Sequence, residues 1–145
     1  MTVYTSRARA PHRLATLTLA LATLFAPAAL TAQAWKQIGI TSSGNAVFVA
    51  PKSVKRTGTR VSAMVRVVFT TPVKAAKGMW ASSRTTATFD CAKKSLAAKE
   101  NVFYADARGT RVTERTVNKQ PGFGPALGGS LGAVALEYLC RPAAK

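Results

Sequence analysis

Acid–base, metal and nucleophile chemistry has few side chains to draw on here. The chain holds one histidine, His12, two cysteines, Cys91 and Cys140, and five acids: Asp90, Glu100, Asp106, Glu114 and Glu137. His12 lies in the first segment, which reads as a removable signal. Without it the chain lacks the commonest general base and the commonest transition-metal ligand. Ser-His and Cys-His nucleophile pairs then have no partner within the chain. The acids are scattered, and no two fall in a metal-site motif. The run Gly122-Phe123-Gly124-Pro125-Ala126-Leu127-Gly128-Gly129 lacks the Gly-Lys-Ser/Thr ending of a phosphate loop. Pro125 also interrupts a dinucleotide pattern, so the run reads as a flexible connection. The expectation is a non-enzyme with no cofactor and no metal.

The signal reading rests on the order of residue types. Arg7, Arg9 and Arg13 come first with no acid among them, and Leu14 to Leu30 is nearly all Leu and Ala. Ala32-Gln33-Ala34 then offers a small-x-small cleavage site. The expectation is a Sec-type secretory signal over 1–34 and a mature domain over 35–145. The alternative is an uncleaved anchor, but the apolar run is at the short limit for a span and contains Pro27. No Cys sits at the cleavage point for lipid attachment, and Arg7 and Arg9 are not adjacent as the twin-arginine route needs. The address is then the periplasm or the outer cell surface.

Export also bears on the cysteines. Two cysteines in an exported chain pair. A Cys91–Cys140 bridge would close a 50-residue loop, which the chain-entropy account values at about 4 kcal/mol. A redox-active pair is the alternative. It needs close spacing or an exposed thiolate, and the sequence offers neither.

Removing Arg7, Arg9 and Arg13 from the 21 basic residues leaves 18 against 5 acids, a net of +13. The cations cluster as Lys52, Lys55, Arg56 and Arg60; as Lys74 and Lys77; as Arg108, Arg111, Arg115 and Lys119; and as the weaker group Lys93, Lys94 and Lys99. Such a surface either keeps a domain soluble or binds a polyanion. The candidate binding residues are Lys52, Lys55, Arg56, Arg60, Lys74 and Lys77, facing an anionic lipid, a sulfated glycan or an acidic protein segment. Intracellular nucleic acid is not expected, because export separates the protein from it. Aromatic residues are not interleaved with the basic runs as single-strand stacking would need.

The elements that must position these residues are short strands between turn signals. Trp35–Ile40 and Ala46–Ala50 read as the first two strands, and Thr57-Gly58 as a hairpin turn. Arg60–Thr70 is the clearest strand. Val61, Ala63, Val65, Val67 and Phe69 share one face, and Ser62, Met64, Arg66 and Val68 share the other. Thr71-Pro72 through Ser82 reads as a longer connection. Ser83–Cys91 places Ala87, Phe89 and Cys91 on the core face and Arg84, Thr86, Thr88 and Asp90 opposite. Lys93–Ala105 could be helical in its first half, but Val102-Phe103-Tyr104 favours a strand with a bulge near Glu100 or Asn101. Asp106–Gly109 is a turn, and Thr110–Val117 reads as the last strand. Ser130 then caps a helix from Leu131 to about Leu139. A helix that short needs a surface to cover, and Cys140 with Cys91 would hold it there. The expected fold class is α+β, mainly β. It is a single antiparallel sheet of about six strands, with a short C-terminal helix packed on one face and tied by the disulfide.

This arrangement resembles the surface-adhesin protein E-like family of Gram-negative exported proteins. The resemblance rests on Trp35 and Gly39, on Val47-Phe48-Val49 followed by Pro51, Ser53 and Val54, and on Asp90-Cys91. It continues through Phe103-Tyr104, Pro125 and Ser130, and the helix closed by Cys140. It implies attachment to host extracellular-matrix proteins. The rival reading is a periplasmic structural or envelope-associated protein with no host-binding role.

Overall fold

The computed structural model describes residues 34–142. The expected signal segment lies outside the described residues, apart from Ala34 at its end.

Eight strand segments form one antiparallel sheet. They are β1 (Lys36–Ile40), β2 (Ala46–Val49), β3 (Lys55–Thr57), β4 (Arg60–Ala75), β5 (Gly78–Asp90), β6 (Ser95–Tyr104), β7 (Val112–Val117) and β8 (Gly124–Pro125). The helix α1 spans Leu131–Leu139. The order across the sheet is β1-β2-β4-β5-β6-β7. β3 pairs with β4 beyond the end of β2, and β8 pairs with β6 beyond the end of β7. Eight segments therefore occupy six columns, which reconciles the count with the expected six.

Period-two alternation gives the sheet two unlike faces. On the inner face Val61, Ala63 and Val65 of β4 lie opposite Phe89, Ala87 and Thr85 of β5. Val49, Ala135 and Leu139 complete this buried core. α1 lies across it because its own apolar side has no other cover. Ser130 Oγ accepts the Ala133 N–H at 3.2 Å and caps the first turn. Glu137 faces solvent and pairs with Arg141 at 2.8 Å. Cys91 and Cys140 form the disulfide, with Cα atoms 5.4 Å apart. Cys91 packs against the core, as its place in the alternation requires.

Three sequence expectations need correction. Thr71 to Ser82 is not a loose connection. β4 runs on to Ala75, and a two-residue turn at Ala76-Lys77 leads into β5. Pro72 falls where the β4–β5 register breaks between Val68 and Val73, so its missing N–H interrupts no ladder. The first hairpin turns at Gly58-Thr59, one residue later than expected. Gly58 takes φ +58°, which the first central position of this tight turn demands. β2 stops at Val49 rather than Ala50, because Pro51–Ser53 forms a 3-10 turn. Other expectations stand closer to the structure. The β6 bulge falls at Lys99, since Ala98 and Glu100 face consecutive residues Ala87 and Thr86.

Candidate functional site

Among the described residues no helix lies over the outer face, and cations gather there. Phe48 of β2, Arg66 of β4, Arg84 of β5, Val102 of β6 and Arg115 of β7 form one register row across the sheet. Arg66 and Arg84 are therefore direct cross-strand neighbours of like charge, a destabilising arrangement unless something compensates. Glu100 compensates part of it. Its carboxylate lies 3.5 Å from Arg84 and 2.5 Å from Arg115. Among the described residues no carboxylate stands within ion-pair distance of Arg66.

Arg66 is instead held by a turn. Its guanidinium donates to the Ala107 carbonyl and lies 5.7 Å from the centre of the Trp35 ring, within cation–π reach. Burial lowers its pKa from the ordinary value, opposed by the nearby Asp106 and Tyr104. The turn is ordered by Asp106. That carboxylate accepts the Arg111 N–H at 2.7 Å and the Thr110 N–H at 3.1 Å. Ser82 Oγ donates to the Asp106 carbonyl at 2.8 Å and ties the turn to β5. The Arg111 N–H bond, then those from Thr110, hold the Asp106 carboxyl down to about 2, against its own desolvation.

Between this turn and the sheet is a cavity of about 340 Å³. Arg66, Arg84 and Arg108 line it, with Trp35, Tyr104 and Met64 as apolar walls and Gly109 at the rim. A second cavity, of about 580 Å³, lies on the inner face between β6 and the 122–132 segment, lined by Phe89, Leu96, Leu127 and Leu131 among others. Among the described residues no group of three or more His, Cys, Asp and Glu could hold a metal ion. No helix among them is long and apolar enough to cross a membrane.

The residues singled out from the sequence fall at the two ends of β4. Arg60 opens that strand and Lys74 lies fourteen positions on, roughly 45 Å away at 3.3 Å per residue. They form two separate groups, not one. At the Arg60 end, Lys52, Lys55 and Arg56 are exposed and in no ion pair among the described residues. The β5–β6 turn brings Lys93 and Lys94 to the same end, because Arg60 pairs in register with Asp90. Arg60 itself is committed, 3.6 Å from Asp90 and 5.0 Å from the centre of the Phe123 ring. The Asp90 carboxyl is held low first by the Lys93 N–H, then by that of Ala92. At the far end, Lys77 lies in the turn and contacts Glu114 at 3.3 Å, while Lys74 lies on the strand. The candidate cations are thus not loop residues as a set: Lys55, Arg56, Arg60 and Lys74 are on strands.

Sequence reasoning missed the central group. Arg66 and Arg84 were placed on the non-core face but not joined to each other or to Arg108. The available signal was an arginine in the middle of each of two strands, where solvated cations more often sit at ends and edges.

A single antiparallel sheet is tied to one helix by a disulfide, with cations concentrated on the face opposite that helix and at the strand ends, and this defines a small, mainly β module. The chain belongs to the surface-adhesin protein E family, whose profile matches residues 35–141. An adhesin-like role and an exported or surface address follow from that membership. Solved structures of Haemophilus influenzae protein E are similar to it. The selenomethionine form is 15% identical, covering 73% of this chain and 84% of that one, with a TM-score of 0.50. The structure from non-typeable Haemophilus influenzae is 14% identical over 79% of this chain and 80% of that one, with a TM-score of 0.49. At these identities the likeness concerns the fold alone. No curated relative matches the chain in sequence.

Proposed function

We propose that the protein is an exported, non-enzymatic attachment module that binds an acidic segment of a host extracellular-matrix protein through its basic strand ends. One observation carries this reading. All five acidic side chains are already in ion pairs with the protein's own cations, and among the described residues Lys52, Lys55, Arg56 and Lys74 pair with no carboxylate. Unpaired cations at the ends of a rigid strand steer and hold an anionic partner. Family membership supplies the adhesin role, and the charge distribution supplies the chemistry of the partner.

Attachment of the purified domain to immobilised matrix protein should fall steeply as salt rises, because exposed charges are screened within about 8 Å at physiological ionic strength. Lys55→Glu with Arg56→Glu should reduce it, and Lys74→Glu with Lys77→Glu should reduce it separately. Salt-independent attachment, or attachment unchanged in both pairs of variants, rejects the electrostatic reading. Binding to anionic vesicles or sulfated glycan in place of matrix protein would redirect the partner. Fractionation that finds the protein only in the soluble periplasm favours the envelope-associated alternative.

A further inference from the structure

The arginine-lined cavity on the outer face is distinct from the strand ends and has the makings of a small-molecule site. Arg66 and Arg84 face each other across β4 and β5, and Arg108 closes in from the turn. No acid lines the cavity. Glu100 is divided between Arg84 and Arg115, and both Asp106 carboxylate oxygens accept backbone N–H groups. Among the described residues the Nε groups of Arg66 and Arg84 are buried without hydrogen-bond partners, a costly condition for cationic donors. Glu100, shared between Arg84 and Arg115, is the one carboxylate in ion-pair contact with these three guanidiniums among the described residues, which leaves a net positive basin that fits a doubly charged oxyanion better than a single carboxylate. A phosphate monoester carries close to two negative charges at neutral pH and suits the guanidinium fork.

The cavity is also larger than a bare ion needs. At about 30 Å³ per water, its 340 Å³ corresponds to roughly ten waters. Trp35 and Tyr104 are among the residues that line it, and aromatic side chains in a cavity wall offer apolar surface against which a ring can pack. We propose that this basin binds the phosphate monoester of a ring-bearing small molecule, such as a sugar phosphate, with Arg66, Arg84 and Arg108 on the phosphate and Trp35 and Tyr104 on the ring.

Trp35 is a built-in reporter. The only other tryptophan, Trp80, stacks on Phe103 at 3.9 Å and does not line the basin. In a Trp80→Phe background, glucose 6-phosphate should change Trp35 fluorescence saturably at concentrations up to about 10 mM. Glucose should have no effect, and inorganic phosphate should bind about tenfold more weakly. Arg66→Gln and Arg84→Gln should each weaken binding about tenfold or more. Arg108→Gln, on an exposed turn, should weaken it while leaving the melting temperature unchanged, which keeps the test open if a strand variant folds poorly. The Lys55→Glu/Arg56→Glu pair should bind the sugar phosphate as the parent does, so matrix attachment and this site fail independently. No saturable response, equal binding of glucose 6-phosphate and inorganic phosphate, or binding unaffected by Arg108→Gln would overturn the proposal. Binding confined to phosphatidic acid vesicles, with no response to the soluble sugar phosphate, would also overturn it.

Discussion

Ser53 Oγ accepts the Met64 backbone N–H at 2.8 Å and donates to the Ala50 carbonyl at 2.7 Å. One side chain thus fills the gap left in the ladder where β2 gives way to the Pro51–Ser53 turn. The turn itself lets β3 resume along the same edge of β4. Replacing Ser53 by alanine leaves the Met64 donor and the Ala50 acceptor without these partners. The expected cost is about 1–3 kcal/mol, read as a lower urea midpoint with an unchanged slope. A variant within 0.5 kcal/mol of the parent, a difference typical of neutral surface changes, would show that water replaces the hydroxyl.

Gly39 tests how closely α1 sits on β1. A Cβ at this position would lie 2.6 Å from Val134 Cγ1, closer than packed carbons allow. Gly39→Ala should therefore destabilise by about 1–3 kcal/mol through overpacking. Adding Val134→Ala should recover part of that loss, giving a non-additive double-mutant cycle. Strict additivity would mean the helix moves away freely.

The disulfide joins residues 49 apart in sequence. Cys91→Ser with Cys140→Ser should lower stability by about 4 kcal/mol, chiefly by freeing the unfolded chain. Denaturant titration with and without reductant measures this directly. Since α1 is too short to persist alone, the loss should appear first as reduced hydrogen-exchange protection in 131–139.

Acid should loosen the protein in a defined window. The Asp106 carboxyl is held at about 2, and Asp90 is also lowered, each chiefly by a backbone N–H. Carboxyls with depressed folded pKa values contribute stability that is present above their unfolded value of about 4 and lost as pH falls toward the folded value. Stability should therefore fall between about pH 4 and pH 2. Asp106→Asn should remove part of that dependence, and the 105–111 turn should lose exchange protection. A pH profile identical to the parent's would contradict the role given to Asp106.

Lys74→Glu with Lys77→Glu should change stability by no more than about 1 kcal/mol, because the Lys77–Glu114 pair is exposed. Thermal melts of the double variant check this. A large loss would make its attachment result uninterpretable as a charge effect.

Much of the fold is written locally. The alternation of Val61, Ala63 and Val65 against Ser62, Met64 and Arg66 fixes which side of β4 is buried, because strand side chains alternate faces. Ser130 ahead of an apolar run fixes the start of α1, because its hydroxyl satisfies a free helix N–H. Two cysteines in an exported chain fix the tie between helix and sheet. Pro72 misled, because a proline breaks a strand only where its N–H is needed, and a register irregularity removes that need.

The charges divide differently. Sequence alone established an excess of cations, their clustering along the chain and the lack of any histidine after His12. Pairing register decided what those cations can do. It set Lys74 at the far end of the strand from Arg60, brought Lys93 and Lys94 round to the Arg60 end, and set Arg66 beside Arg84 under the turn that carries Arg108. Proximity between residues distant in sequence follows from how strands align, and a one-residue slip would send every one of these side chains to the opposite face.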